Sequence, residues 1–299
     1  MLRVLSWNIQ WGRGADGRVD LARTIAAIRA CGELDLICLQ EVASRLAGLP
    51  GGKGSIEGQG AEGLDTEEAE DGLAILSAAF PEFAAIWGPA LDLPRGNGAR
   101  AGFGNLLLSR LPVGQVWRHL LPAPADPLVA GMQRACIEAV VDTVSGPLRV
   151  LTTHLEYHSA LQRAAQIEAL RGLQAEAAAQ AVLPPRPPGK TPAFTPWPRP
   201  ARALLCGDLN CEPHGADHRR LLEPLAAGLP GWRDAWQHSH PGRPHAPTVG
   251  LHGAEWPGRR FCCDYFLVSA GLDEQLRSLR VVEATAASDH QPLLLEIDC

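Results

Sequence analysis

The sequence contains no apolar run long enough to span a bilayer, so stable membrane insertion is not expected. Met1-Leu2-Arg3 leads straight into a strand-like apolar segment and leaves no room for a signal peptide, which predicts a cytoplasmic location. None of the eight cysteines (Cys31, Cys38, Cys136, Cys206, Cys211, Cys262, Cys263, Cys299) belongs to a C-x-x-C pair. Without an export signal they read as buried reduced thiols, not as disulfides or zinc ligands. Lysine is almost missing: only Lys53 and Lys190 occur, and the net charge is −6. Proteins that coat duplex DNA carry a basic excess or a basic stripe, and neither is evident. No internal repeat stands out at a solenoid-like period. What remains is a globular composition, 46% hydrophobic and 20% charged over 299 residues, ample for a full core.

Against that background, Leu204 to Asn210 (LLCGDLN) stands out. Apolar residues run into a glycine, then an acid and an amide two positions apart. In an extended chain such residues share a face, so Asp208 and Asn210 can project together while Gly207 lets backbone pass close by. A carboxylate beside a carboxamide can position a water and hold a phosphate oxygen. A polar turn after a strand would explain this stretch alone, but the pattern recurs. Leu2 to Ile9 reads as a buried strand ending at Asn8, and Leu34 to Leu39 as a second, closed by Gln40-Glu41. Strand-like runs at 105–109, 113–121, 133–143 and 147–155 suggest an antiparallel meander, whose last member ends at His154. Phe261 to Ser269 is a strand containing Asp264, and Asp289-His290 precedes a closing strand, Leu293 to Ile297.

Between these lie helices predicted over Val19–Ala30, Thr66–Phe80 and Ser159–Val182, each with an apolar stripe or a proline stop, and another near 215–227. Gly48–Gly63 and Leu91–Gly104 read as loops, Phe83–Trp87 as a short strand, and 184–200 as an extended proline-rich excursion.

The segments SWNIQ, CLQEV, GNLLLSRLP, TTHLEY, CGDLN, CCDYFLVS and SDHQP, in that order from residue 6 to 292, resemble the endonuclease/exonuclease/phosphatase superfamily. That superfamily includes pancreatic-type deoxyribonucleases, abasic-site endonucleases, deadenylases, neutral sphingomyelinases and inositol-polyphosphate 5-phosphatases. The resemblance implies one domain over 1–299, a four-layer αββα sandwich of two mainly antiparallel sheets packed face to face with helices outside. Loop excursions near 48–65 and 184–200 would decorate it.

It also implies phosphoester chemistry. Hydrolysis of an anionic phosphodiester needs charge neutralisation, an aligned water and a stabilised leaving oxygen. Glu41 is the expected ligand for Mg²⁺, with Mn²⁺ as a substitute, because a hard carboxylate suits such cations. Asn8 would sit beside it, directly or through a water, and Asp289 would join the coordination sphere. His290, its ring held by Asp264, would act as base or phosphate orienter. Asp208 would orient or deprotonate the attacking water, Asn210 would bind the phosphate, and His154 would stabilise the transition state. Whether Asp208 or His290 takes the proton stays open on sequence.

Asn105, Arg134, Glu156, Tyr157, His158, Arg163 and Gln166 form a second tier near these motifs, and Arg110 reads as structural. Segments 48–72, 91–104 and 241–260 are expected to rim the site, with Arg243, Arg259 and Arg260 as its anion-binding part and Trp11, Trp87 or Trp256 available for stacking. The expected activity is Mg²⁺-dependent phosphodiester hydrolysis by a monomer, on nucleic acid or a nucleotide. The alternatives are a phosphatase or phospholipase-type hydrolase and a non-catalytic binding module on the same scaffold.

Overall fold

The computed structural model describes residues 1–52, 69–95, 98–184, 187, 189–253 and 258–299. Among these residues, twelve strands and five α-helices occur. The first half contributes β1 (Leu2–Asn8), α1 (Leu21–Ala30), β2 (Leu36–Ser44), α2 (Gly72–Ala79), β3 (Ala84–Pro94) and β4 (Arg100–Ser109). The second contributes β5 (Val113–Leu120), β6 (Ala135–Thr143), β7 (Gly146–His154), α3 (Ala160–Ala181), β8 (Ala203–Asp208) and α4 (Ala216–Leu222). β9 (Trp232–Asp234), α5 (Ala235–Ser239), β10 (Asp264–Ser269), β11 (Leu276–Val281) and β12 (Leu293–Ile297) complete it.

The strands form two six-stranded sheets, ordered β11-β12-β1-β2-β4-β3 and β5-β6-β7-β8-β10-β9. Each is antiparallel except for one central parallel pair, β1 with β2 and β7 with β8. Alternation along the strands decides which layer each side chain enters. In β1, Leu2 and Val4 enter the core between the sheets, whereas Leu5 and Trp7 pack with Leu21 and Ile28 of α1. In β8, Leu204 and Cys206 enter the inter-sheet core, whereas Ala203 and Leu205 pack with Ile167 and Leu170 of α3. Both faces of each sheet are thereby covered, which gives the four-layer αββα sandwich.

The long helices begin where side chains can satisfy their free N–H groups. Asp20 accepts from Ala22 and Arg23 at α1, Asp71 from Ala74 at α2, and Ser159 from Gln162 at α3. Of the helix expected over Thr66–Phe80, residues 66–68 lie outside the described residues, as does most of the Gly48–Gly63 loop. The helix expected near 215–227 stops at Leu222, with Pro224 two residues further on.

Two expectations need correction. Leu91–Gly104 is not a loop: β3 and β4 pair through Leu91↔Phe103 and Pro94↔Arg100, interrupted by a bulge between Pro89 and Leu91. A Cβ on Gly104 would fall 2.3 Å from Gly88 O, so the glycines here permit close strand approach instead of breaking the ladder. The runs after Asn105 are also not one meander. β4 belongs to the first sheet, and the chain crosses to the second before β5, with Leu111 and Val113 packed against the inter-sheet core. Only β5-β6-β7 form a meander.

Candidate active site

The face that is apolar between the sheets turns polar at one end of the sandwich. Asn8 continues the face of Val4, His154 that of Val150, and Asp208 that of Cys206; Asp264 opens β10 on the face of Phe266. Just beneath, Gln40 Nε2 donates to Thr152 Oγ1 at 3.0 Å and joins the two sheets. Glu41 reaches this end by a different device. Strict alternation would send it to the helix side with Leu39, but the β2–β4 register slips between Leu39 and Val42, and Glu41 adopts φ 57°. The bulge turns its carboxylate toward Asn8.

Gly207 makes the centre possible. It has φ 136°, and a Cβ there would lie 1.9 Å from Thr153 O, so no side chain fits between β7 and β8 at this point. Directly after it, Asp208 is buried with its Oδ2 as a focus. Asn8 Nδ2 donates to it at 3.1 Å, His154 Nε2 is 3.4 Å away and His290 Nε2 3.6 Å away. Asn8 Nδ2 also donates to Glu41 Oε1 at 2.9 Å, and His154 Nδ1 lies 3.6 Å from that oxygen. Asn210, at φ 48°, donates its amide to Leu155 O and to His154 Nε2, at 2.8 and 3.0 Å. His290 Nδ1 lies 2.9 Å from Asp264 Oδ2.

Burial and charge set the protonation of this group. Burial pushes the Glu41 carboxyl up to about 7 against the Asn8 hydrogen bond, with Asp289 adding to the rise. Burial likewise lifts Asp208 to about 6, although His290 opposes it. Burial works against a charge on His290, yet Asp264, Asp289 and Asp208 outweigh it and hold the ring well above the usual imidazole range. Burial, Arg134 and His290 drive His154 well below that range. A neutral His154 leaves Nε2 free to accept from Asn210.

Of the sequence-predicted residues, Glu41, His154, Asp208, Asn210, Asp289 and His290 line one cleft of about 670 Å³. Asn8 and Asp264 stand behind its wall, each bonded to residues that face it. The Asn8 amide gives its NH₂ to the carboxylates, and its Oδ1 accepts from Gln10 N at 3.1 Å. In this arrangement Asn8 bridges Glu41 and Asp208 instead of offering an oxygen between them.

The anion-binding rim is corrected. Arg243, Arg259 and Arg260 are exposed and do not line the cleft; Arg259 pairs with Glu212 and lies over Phe261. Arg134 does line it, paired with Glu156 at 3.1 Å. Tyr157 and His158 line it too, while Arg163 is tied to Asp217 and Gln166 to Glu156 N. Asn105 is buried on Ala135 O, and Arg110 pairs with Glu33. Trp11 reaches the cleft, Trp87 packs against the helix-side core, and Trp256 lies outside the described residues. All eight cysteines are buried and free.

Two participants escaped the sequence reading. Thr248 Oγ1 donates to Asp264 Oδ2 at 2.6 Å, and Ser288 Oγ donates to Asn8 O at 2.8 Å while accepting from His290 N. Nothing in the sequence marked Thr248, which sits inside a stretch rich in Gly and Pro. Ser288 adjoins Asp289-His290 and was within reach of that motif.

Residues 5–290 match the model of the family described as Endonuclease/Exonuclease/phosphatase. No curated protein matches. Among solved structures, truncated Caenorhabditis elegans TDP2 is 18% identical, with 100% of this chain and 97% of that one covered and a TM-score of 0.59. A mannosyl-6-phosphatase of Bacteroides thetaiotaomicron is 14% identical over 100% of both chains, with a TM-score of 0.64. The 3′ phosphatase NExo of Neisseria, bound to a product DNA hairpin, is 17% identical over 100% of both, with a TM-score of 0.59. At these identities the likeness is one of fold.

Proposed function

The chain belongs to the endonuclease/exonuclease/phosphatase family, hydrolases of phosphate esters, and from that premise we propose that it is a Mg²⁺-dependent phosphodiesterase acting on nucleic acid or a nucleotide. Its eight buried thiols suit the reducing cytoplasm as its place of action. One observation carries the proposal: Asp208 Oδ2 sits where Asn8, His154 and His290 converge, with Glu41 alongside.

The donor set fits a hard cation. Glu41, Asp208 and Asp289 face one cleft, and Glu41 and Asp208 are held above their ordinary carboxylate range, chiefly by burial that no cationic side chain fully offsets. Glu41 and Asp289 would hold the cation, with Asn8 fixing the carboxylates' spacing. When bound, the ion supplies charge neutralisation on the phosphate oxygens.

The remaining roles fall to the chain's own groups. Asp264 orients the His290 ring and keeps it protonated, so that Nε2–H faces the cleft as a donor to a phosphate oxygen. With an imidazolium at that position, Asp208 is the group left to take a proton from the attacking water. Asn210 spends both amide hydrogens on Leu155 O and His154 Nε2, which fixes the His154 ring with its proton on Nδ1, and that Nδ1–H would donate to the phosphoryl group as its charge develops.

A second reading, a phosphatase or phospholipase-type hydrolase, is favoured by the outer wall of the cleft, where Trp11, Leu46, Leu49, Leu91, Phe103 and Phe261 offer apolar surface. One experiment separates the two. Hydrolysis of an aryl phosphodiester and the matching monoester is measured with Mg²⁺, with Mn²⁺ and with chelator, for wild type and His290→Ala. Metal-dependent cleavage of the diester, lost in the variant, supports the phosphodiesterase. Preference for the monoester supports the second reading, and no turnover together with no Mg²⁺ binding overturns both.

A further inference from the structure

Behind the cleft lies a second buried carboxylate–imidazole group. His218 Nε2 and His245 Nε2 each lie 2.8 Å from Asp234 Oδ2, and all three side chains are almost wholly buried. Two histidines and an aspartate have the composition of a metal centre, but the hydrogen bonds argue otherwise. His214 N donates to His218 Nδ1 at 3.3 Å, so the proton of a neutral His218 sits on Nε2 and points at Asp234. A histidine that ligates through Nε2 needs its proton on Nδ1. Asp234 Oδ1 also accepts from Trp236 N and Gln237 N at the start of α5, which makes the carboxylate a fully used hydrogen-bond acceptor.

That assignment leaves one atom over. With Nε2–H of His245 directed at Asp234, its Nδ1 is a bare acceptor, buried and without a hydrogen-bond partner among the described residues. Asp264, the carboxylate that holds His290, has the same defect. Oδ2 takes Thr248, Cys263 and His290, whereas Oδ1 is buried with no partner among the described residues. Both residues line one small cavity of about 10 Å³, together with Thr248 and Cys262. A volume of that order holds a single water. Two residues that line one such space and each carry a bare acceptor can be satisfied together by a water's two hydrogens, and each acceptor left bare would cost about 1–3 kcal/mol.

We propose that a water in this cavity donates to Asp264 Oδ1 and to His245 Nδ1, which makes His245 a positioning residue for the Asp264–His290 pair. The chain of hydrogen bonds then runs from His290 through Asp264, the water and His245 to Asp234 and His218. Its effect is orientational. With both oxygens engaged, the Asp264 carboxylate cannot swing about its Cβ–Cγ bond, and Oδ2 stays aligned on His290 Nδ1. The inference rests on the reading of Asp264 and His290 as the orienting pair of the cleft.

The two nitrogens of His245 can be tested separately. An asparagine places its amide near the Nδ1 position, and a glutamine places its amide near Nε2. His245→Gln therefore keeps the Asp234 contact and loses the water's partner; His245→Asn does the reverse. On an aryl phosphodiester with Mg²⁺, His245→Gln is expected to lower kcat about tenfold at unchanged KM, and His245→Asn to recover most of that loss. In proton NMR without substrate, the low-field His290 Nδ1–H resonance should broaden in the Gln variant and persist in the Asn variant. A residue that merely braces Asp234 would give the opposite order, and that order, or two variants identical to wild type, overturns the proposal. Should a variant fail to fold, ¹⁵N-histidine NMR of the wild type decides, because a His245 protonated on Nδ1 is incompatible with the bridge. Absence of turnover would count against the phosphodiesterase reading alone, since both NMR measurements are independent of it.

Discussion

Glu138 and Asp208 are buried carboxylates on strands of the same sheet, yet their surroundings are opposite. Glu138, on β6, receives Arg199 Nε at 2.7 Å, Arg149 Nη1 at 3.2 Å and His119 Nε2 at 3.0 Å. Burial pushes its pKa up, but the hydrogen bonds of His119 and Arg199 and the charge of Arg149 outweigh it and draw the carboxyl down to about 2. Asp208 and its neighbour Glu41 have no guanidinium against them among the described residues and rise to about 6 and about 7, burial being the first cause in both. One cluster is complete within the chain and ties the end of the proline-rich segment, through Arg199, to the sheet. The other gathers negative charge that its own side chains do not balance. A buried carboxylate is thus structural or receptive according to what is packed around it, and its strand position does not distinguish the two cases.

The largest effect expected on this contrast comes from removing the histidine that partly balances the receptive side. His290→Ala should reduce turnover of a phosphodiester by about 10³-fold or more while the circular dichroism spectrum is retained. A loss near tenfold would move the burden to Asp208. Next is the closed side. Glu138→Gln leaves the buried Arg149 without a carboxylate and Arg199 with Glu176 alone, and should cost about 3–5 kcal/mol of stability in denaturant unfolding. Glu41→Gln should do the reverse, weakening Mg²⁺ affinity at least about tenfold in calorimetry without destabilising the protein. If both glutamines cost the same stability, the contrast fails.

Proton linkage sharpens it further. Glu41 is raised in the folded state, so between its ordinary value of 4.5 and about 7 the folded protein binds more protons than the unfolded chain. Its contribution to stability therefore falls as pH rises toward 7, and Mg²⁺ affinity should climb over the same range as the cation displaces that proton. Glu138 is lowered, so its contribution is complete above 4.5 and is lost as pH falls toward 2. Unfolding and titration calorimetry across pH 2–8, with Glu41→Gln and Glu138→Gln as controls, separates the two. The smallest effect belongs to Arg259→Ala. This exposed ion pair with Glu212 stands outside the cleft, and turnover should change less than about twofold.

Much of this architecture was legible because polarity changes along strands that are otherwise apolar. Leu204-Leu205-Cys206 runs into Asp208, and Val150-Leu151 into His154, and the strand period alone puts both polar groups between the sheets. Glu41 was legible as a residue but not as a direction, since its orientation depends on a bulge and a left-handed backbone that no local propensity announces. The β3–β4 hairpin was hidden for the same reason. Leu91–Gly104 reads as a loop, whereas the cross-strand ladder makes strands of 91–94 and 100–104. Asp264 and His290 were paired on resemblance, but Thr248 and His245 lie in a segment without periodicity. Their roles come from contacts made across the fold, which one-dimensional spacing does not encode.

The hydrogen bond from Ser288 to Asn8 spans 280 positions along the chain, and β1 pairs with β12. During synthesis, β1 emerges well before β12, the strand that covers its outer edge. Until β12 is made, β1 keeps an open edge, and a truncation that removes His290 and all that follows it also removes the strand that closes this edge. Competence for chemistry and completion of the sheet therefore depend on one short stretch of chain, residues 288–297.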